Sequence, residues 1–329
     1  MTVEPANFSP NGYSNKTELP FHRNSPDLDA VKQICKPLLD TIERNKAGIL
    51  QDLDPEFLHD FRVAVRRTRS LLSQLKTVFP AHRVKKFKKQ FSDLGKVTNE
   101  LRDLDVFLSN QKTYVDALPD YLQPGLYPVF ETFAKKRKHE LQKVKRKLQS
   151  QSCQNLLKAW RNFLETDDPA EQDVHDQQQT IWETASASIS EQFVICQKRA
   201  EKTLKKTSDS RLHKLRIACK KLRYLLEFFK SLYPEKETAS LIAQLKKIQD
   251  HLGAFNDLRV QQTKLRALME NEFGGHPQDV YICTAIGGLL TSLHQQQKRI
   301  SSSSKEVLQK FLSAEIENLQ INFPGKIKS

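Results

Sequence analysis

Glycine is scarce, with ten in 329 residues, and no segment sustains the alternation of apolar and polar positions that marks a half-buried strand. β-structure is therefore not expected. No apolar run approaches the length of about 18 to 20 residues that a bilayer-spanning helix needs. The cysteines, Cys35, Cys153, Cys196, Cys219 and Cys283, are odd in number and widely spread, and no two have CxxC spacing. That pattern supports neither a zinc site nor a disulfide framework and leaves them as reduced core residues. The chain contains no GxxxxGK[ST] phosphate loop, no HExxH pair and no nucleophile elbow, so neither a catalytic residue, a bound metal nor a cofactor is expected. Residues 1–24 lack the basic and apolar regions of a signal peptide, which reads as a disordered leader and makes the cytoplasm the expected compartment.

Acidic residues are missing where basic ones crowd. From His59 to Lys89 there are ten Lys or Arg against the single Asp60, and from Lys135 to Leu148 eight against the single Glu140. Glu165 to Glu183 reverses the bias, with seven acids and no Lys or Arg, and reads as a linker. The whole chain carries a formal net charge of +14, which points to an acidic polymer, an acidic surface or an anionic membrane as partner. Like charges at this density repel, and a densely charged anion between them recovers the cost.

The principal positive feature is a repeat. Residues 58–106 align without a gap on 212–260, with thirteen of 49 positions identical. Leu58-His59-Asp60-Phe61-Arg62 returns as Leu212-His213-Lys214-Leu215-Arg216, Phe79-Pro80 as Tyr233-Pro234, and Asp103-Leu104 as Asp257-Leu258. A unit this long makes two like bundles rather than a solenoid. On a helical wheel His59, Arg62, Arg66 and Arg69 fall within about 80° of one another, while Phe61, Val65, Thr68, Leu72 and Leu75 occupy a separate arc. The second copy divides likewise, with His213, Arg216, Lys220 and Arg223 on one side and Leu215, Cys219, Leu222, Leu226 and Phe229 on the other. A solvated amphipathic face is the plain alternative, but such faces mix charges of both signs.

Helices are expected near 27–48, 55–79, 81–112, 119–150 with a continuation to 164, 171–206, 209–231, 235–271 and 277–320. Asp54-Pro55-Glu56 and Ser208-Asp209-Ser210 supply N-caps before the two cationic helices. Pro80 and Pro234 fit the first turn of the helix that follows. Pro37, Pro124 and Pro128 are expected to bend or break theirs, and Gly287-Gly288 permits either close helix approach or a kink. The fold class is all-α: two bundles of about four helices each, over 25–165 and 177–320, an acidic linker at 166–176 and a flexible tail at 321–329.

Four motifs, in order and in duplicate, carry a resemblance: His-x-x-Arg-x-x-x-Arg-Arg-x-Arg at His59, Leu-Arg-Asp-Leu-Asp-Val at Leu101, His-x-x-Arg-x-x-x-Lys-Lys-x-Arg-Tyr at His213 and Leu-Gly-x-x-Asn-Asp-Leu-Arg at Leu252. From about residue 25 to 320 the chain resembles the CHAD family, the conserved-histidine α-helical domain. The resemblance implies two bundles related by a pseudo-twofold, with a basic groove between them. It also implies binding of inorganic polyphosphate without turnover, and association with polyphosphate granules. By position, the implied binding residues are His59, Arg62, Arg66, Arg67 and Arg69 in one half and His213, Arg216, Lys220, Lys221 and Arg223 in the other. Lys85, Lys86, Lys89, Lys135 and Lys138, from the two basic stretches, complete the candidate set. Lys220 and Lys221 depart from the more arginine-rich family pattern, which weakens bidentate phosphate recognition without removing charge.

A polyphosphate chain rewards many parallel contacts: guanidinium forks take phosphate oxygens in pairs, and lysines act as point charges around them. Two roles are open to His59 and His213. They can face phosphate, neutral or cationic, or they can be buried and hydrogen-bond a helix contact, with Asp103 and Asp257 as partners. The two roles are compatible. Asp103 and Asp105, at i and i+2, do not face one site, and Asp103 and Asp257 are expected to pair with arginines and fix their rotamers. The ExExK pattern of the triphosphate-tunnel phosphatases, which share chains with some CHAD domains, is missing. Competing readings are a nucleic-acid binder, although base-stacking aromatics are scarce on the basic helices, a scaffold for acidic proteins, and a phosphohydrolase needing a metal site. Nucleic acid is expected to bind more weakly than polyphosphate and with strong salt dependence.

Overall fold

The computed structural model describes residues 21–166, 179–277 and 279–322. Most of the expected leader and acidic linker, the start of the helix expected at 171 and most of the tail lie outside them. Among the described residues every regular element is helical, apart from an isolated antiparallel bridge between Pro26 and Thr180. The elements are α1 (Asp27–Gln51), α2 (Pro55–Gln74), α3 (Ala81–Val97), α4 (Asn99–Ser109), α5 (Gln111–Asp116), α6 (Tyr127–Gln149), α7 (Gln151–Glu165), α8 (Ile181–Lys205), α9 (Asp209–Phe228), α10 (Glu235–Glu272) and α11 (Asp279–Asn322). Short 3-10 turns lie at Gln123–Leu126 and Lys230–Leu232.

Both cationic helices start as their sequences require. The Asp54 carboxylate accepts the Glu56 N–H at 2.7 Å ahead of α2, and the Ser208 hydroxyl accepts the Arg211 N–H at 3.4 Å ahead of α9. Pro80 and Pro234 are the capping residues of α3 and α10, one position outside the first turn expected for them. Pro124 lies in the 3-10 turn and Pro128 in the first turn of α6, so they mark a break. Pro37 does not break α1, which runs through it. Ile34, Cys35, Leu38 and Leu39 on either side are at most 3% exposed, and their burial outweighs the lost backbone bond.

The single helix expected over 81–112 is three, with junctions at Thr98 and Asn110. Side chains take up the carbonyls that the breaks release. Thr98 Oγ1 donates to the Gly95 carbonyl at 2.8 Å, and Asn110 Nδ2 donates to that of Val106 at 2.7 Å. Likewise α2 stops at Gln74 rather than 79, and Leu75, Val78 and Phe79 bury in the turn that follows.

The apolar core has two parts, and each draws on both halves of the chain. The larger runs from α1 to α3 and through α7, α8 and α9 to the start of α10 and part of α11. Within it Trp160 of α7 stacks on Phe163 at 5.4 Å and meets Phe87 of α3 edge-on at 4.7 Å. The smaller packs Leu104, Phe107, Phe130 and Phe133 against Leu265, Leu268, Ile286 and Leu289. Gly288 resolves as close approach: α11 is continuous, and a Cβ there would lie 3.0 Å from Leu118 Cδ2. Four of the cysteines are buried and Cys283 is half-buried. This packing sets α2 directly against α9, the two cationic helices of the repeat.

Candidate functional site

A cavity of about 530 Å³ is lined by α2, α4, α9 and α10. Arg62, Arg66 and Arg69 enter it from α2, Arg102 from α4, Arg216, Lys220 and Lys221 from α9, and Lys264 from α10. Against these eight cations stand two carboxylates, Asp103 and Asp257, and the imidazole of His59. Residues 154 apart line it in pairs: Arg62 and Arg216, Arg66 and Lys220, Ser70 and Tyr224, Arg102 and Asn256, Asp103 and Asp257, Val106 and Val260, and Phe107 and Gln261. The offset is that of the sequence repeat.

Each cation is held differently. Arg62 Nη1 donates to Thr98 Oγ1 at 2.6 Å and to the Gly95 carbonyl at 3.2 Å, so the α3–α4 junction fixes its guanidinium. Arg66 Nε donates to Tyr224 Oη at 3.0 Å, a bond from α2 to α9. The Nε atoms of Arg69 and Arg216 are buried and have no hydrogen-bond partner. Lys264 Nζ lies 2.5 Å from Glu100 and 3.7 Å from Asp103.

Crowding of like charge shifts proton affinities. Burial, followed by Arg66 and Arg216, pushes the Lys220 amine down to about 7, with Asp257 opposing. Burial and then Arg66 push Arg62 down to about 10, and burial with the same neighbour lowers Arg69. Arg216 is also lowered, mainly by burial. His59 is held below the usual imidazole range by burial and by Arg102, Arg66 and Arg62, with Glu56 opposing. Asp103 is raised by burial, against the pull of Lys264. Lys220, Arg62, Arg69 and Arg216 are thus each less willing to hold a proton than they would be in water.

The cavity gathers His59, Arg62, Arg66, Arg69, Arg216, Lys220, Lys221, Asp103 and Asp257 from the candidate set. Arg67 and Arg223 lie outside it. Both hold Glu227, Arg67 through a buried ion pair and Arg223 through Nη1 at 2.9 Å, and Arg67 also covers the Phe228 ring at 4.7 Å. His213 is exposed outside the cavity. Lys85 and Lys89 line a neighbouring cleft, whereas Lys86, Lys135 and Lys138 are exposed outside both. Among the described residues no hydrogen bond joins His59 to Asp103 or His213 to Asp257. Asp103 has a lysine as its ion-pair partner, with Arg62 acting on it through space. The carboxylate of α4 that pairs with an arginine is Asp105, buried outside the cavity with Arg137 Nε at 2.6 Å.

Arg102, Asn256, Gln261, Tyr224 and Lys264 are lining residues that sequence reasoning did not select. Arg102 and Asn256 occur within two of the four motifs and align with each other in the repeat. Asp257, Val260, Gln261 and Lys264 follow i, i+3, i+4, i+7 along α10, so Asp257 carried the signal for Lys264. Glu56, His59 and Asp60 bring ligand atoms within 4.8 Å of one another. Arg102 sits 3.3 Å from Glu56, so a cation there would have to displace a guanidinium at the edge of a strongly positive cavity.

The sequence profile of the CHAD domain matches residues 33–266. The chain belongs to the CHAD family. Its structure is similar to the crystal structure of the CHAD domain from the plant Ricinus communis, with a TM-score of 0.73 and 25% identity over 88% of this chain and 94% of that one. PptA from Streptomyces chartreusis shares the fold, with a TM-score of 0.63 and 11% identity over 88% of this chain and all of that one. Among curated proteins no sequence matches. In this CHAD protein the cavity lines lie within the matched span, whereas α11 follows it. Among the described residues no helix is long and apolar enough to cross a membrane.

Proposed function

We propose that this protein binds inorganic polyphosphate in the cavity between α2, α4, α9 and α10 without acting on it, and that it does so in the cytoplasm at polyphosphate-containing granules. The observation that carries this reading is the excess of cations in one cavity: eight Lys or Arg against two carboxylates. Such an arrangement costs folding energy while empty and is relieved by a ligand with dense negative charge. Arg69 and Arg216 add buried Nε donors without a partner, suited to charge-assisted bonds to phosphate oxygens. Both carboxylates face cations, Asp103 with Lys264 and Asp257 with Arg216 and Lys220, which suits them to balance charge rather than to activate water.

The aromatic lining favours polyphosphate over nucleic acid. Phe107 and Tyr224 are 1% and 2% exposed, so neither offers a free ring face to a base. Duplex DNA and single-stranded RNA should bind through phosphate alone, more weakly and with steep salt dependence. A competition titration of labelled long-chain polyphosphate against DNA, RNA and ATP at about 0.15 M salt tests this. Polyphosphate should win by orders of magnitude with no phosphate released. Equal competition would reduce the cavity to a general polyanion surface, and released phosphate would make it an active site. Arg216→Gln with Lys220→Gln is the matching variant, because neither side chain holds a helix junction. It should abolish binding while the helical circular dichroism spectrum stays unchanged.

A further inference from the structure

A second cleft, of about 560 Å³, lies between the end of α2 and α3. Its cations are Lys76, Lys85, Lys88, Lys89, Lys96 and Arg69, against the single Asp93, which sits 3.6 Å from Lys96. Lys85, Lys88, Lys89 and Lys96 share one face of α3 by helical spacing, and Leu72 and Val84 also line the cleft.

Two observations join this cleft to the central cavity. Arg69 lines both, and its buried Nε has no hydrogen-bond partner. The proton affinity of Lys221, which lines the first, is lowered by burial, then by Arg199, and then by Lys88 and Lys76 of the second cleft, so the two sets of cations share one positive field.

Resting on the polyphosphate reading of the cavity, we propose that the α3 cleft is a second phosphate-binding stretch of one continuous track, and that the preferred ligand is a chain long enough to pass Arg69 and occupy both. A short oligophosphate fills the cavity alone. A long chain adds contacts to the α3 lysines without a second loss of translational freedom, because its two parts are covalently linked. Chain-length preference is then set by α3, outside the cavity.

The experiment compares sodium tripolyphosphate with long-chain polyphosphate on the full chain, for the wild type and for Lys85→Gln/Lys88→Gln/Lys89→Gln, across a salt series. All three side chains are exposed and glutamine keeps helix propensity, so α3 should persist, which circular dichroism checks. Three lost contacts to a flexible polyanion should flatten the slope of log K against log salt by about 2 and weaken long-chain binding on the order of tens-fold at about 0.15 M salt. Tripolyphosphate keeps every cavity contact and feels only the weakening of the shared field, so its affinity should fall far less. Unaltered long-chain affinity, or an equal loss for both probes, overturns the continuous track while leaving the cavity reading intact. Failure of both probes to bind the wild type overturns the cavity reading and the track with it.

Discussion

Lys220 is where burial and charge meet most sharply. Its amine, pushed down to about 7 by burial and by Arg66 and Arg216, is about half protonated in the free protein near neutral pH. A polyanion favours the protonated form, so binding should take up a proton. The lowered group binds that proton readily below pH 7 and only at a cost above it. Affinity for polyphosphate should therefore fall as pH rises from about 6 to 8. Calorimetry in two buffers of different ionisation enthalpy measures the proton uptake directly. Lys220→Arg keeps the charge at all these pH values and should remove most of the step, leaving the smaller contribution of His59, which is lowered for the same reasons. A pH dependence of the same size in that variant would move its origin away from Lys220. Arg62, a natural first choice for charge reversal, is the poorer probe, because it also holds Thr98 and the Gly95 carbonyl.

At the scale of elements, α2 and α9 are joined by a structural pair as well as by the cavity. Glu227 of α9 accepts from Arg67 of α2 and from Arg223, and Arg67 and Glu227 have side chains 5% and 8% exposed. Removing one member of such a buried pair leaves a charge uncompensated. Glu227→Gln should destabilise the fold by about 3–5 kcal/mol in denaturant titrations, with polyphosphate affinity of the folded fraction little changed. A loss of affinity without a loss of stability would instead place Arg67 and Arg223 in the ligand path. This division was not legible in the sequence. The repeat aligns Arg67 with Lys221 and Arg69 with Arg223, yet one member of each pair lines the cavity and the other does not. What differs is the partner: Glu227 aligns with Ser73, so only the second copy offers an acid to draw arginines away. The helical class, the caps at Asp54 and Ser208 and most boundaries could be read from the sequence because they depend on local spacing. The breaks at Thr98 and Asn110 could not, because the side chains that satisfy the freed carbonyls include Arg62, reaching across from another helix. Thr98 and Gly95 align with Leu252 and Gln249, where α10 continues unbroken.

For the whole molecule, a net charge of +14 with eight cations in one cavity makes stability depend on what screens them. Without ligand, repulsion among the cavity cations opposes the compact state, and added salt screens it, the Debye length being about 10 Å at 0.1 M and shorter above that. Raising sodium chloride from tens of millimolar to about 0.5 M should raise the Tm of the free protein by a few degrees, because screening weakens repulsion more than it weakens buried apolar contacts. With long-chain polyphosphate present the sign should invert. Bound ligand stabilises by about 2.7 kcal/mol at a hundredfold excess over Kd, and salt raises Kd steeply through counterion competition, so the same increase in chloride should lower Tm. Two melting series that converge from opposite directions at high salt would tie the fold's stability to the occupancy of its cation cluster. A flat series for the free protein would mean that the repulsion is already neutralised within the fold, and parallel series that polyphosphate is not held by ionic contacts. The Arg216→Gln/Lys220→Gln variant separates repulsion from binding: by removing crowded charge it should raise the low-salt Tm of the free protein while abolishing the gain from polyphosphate.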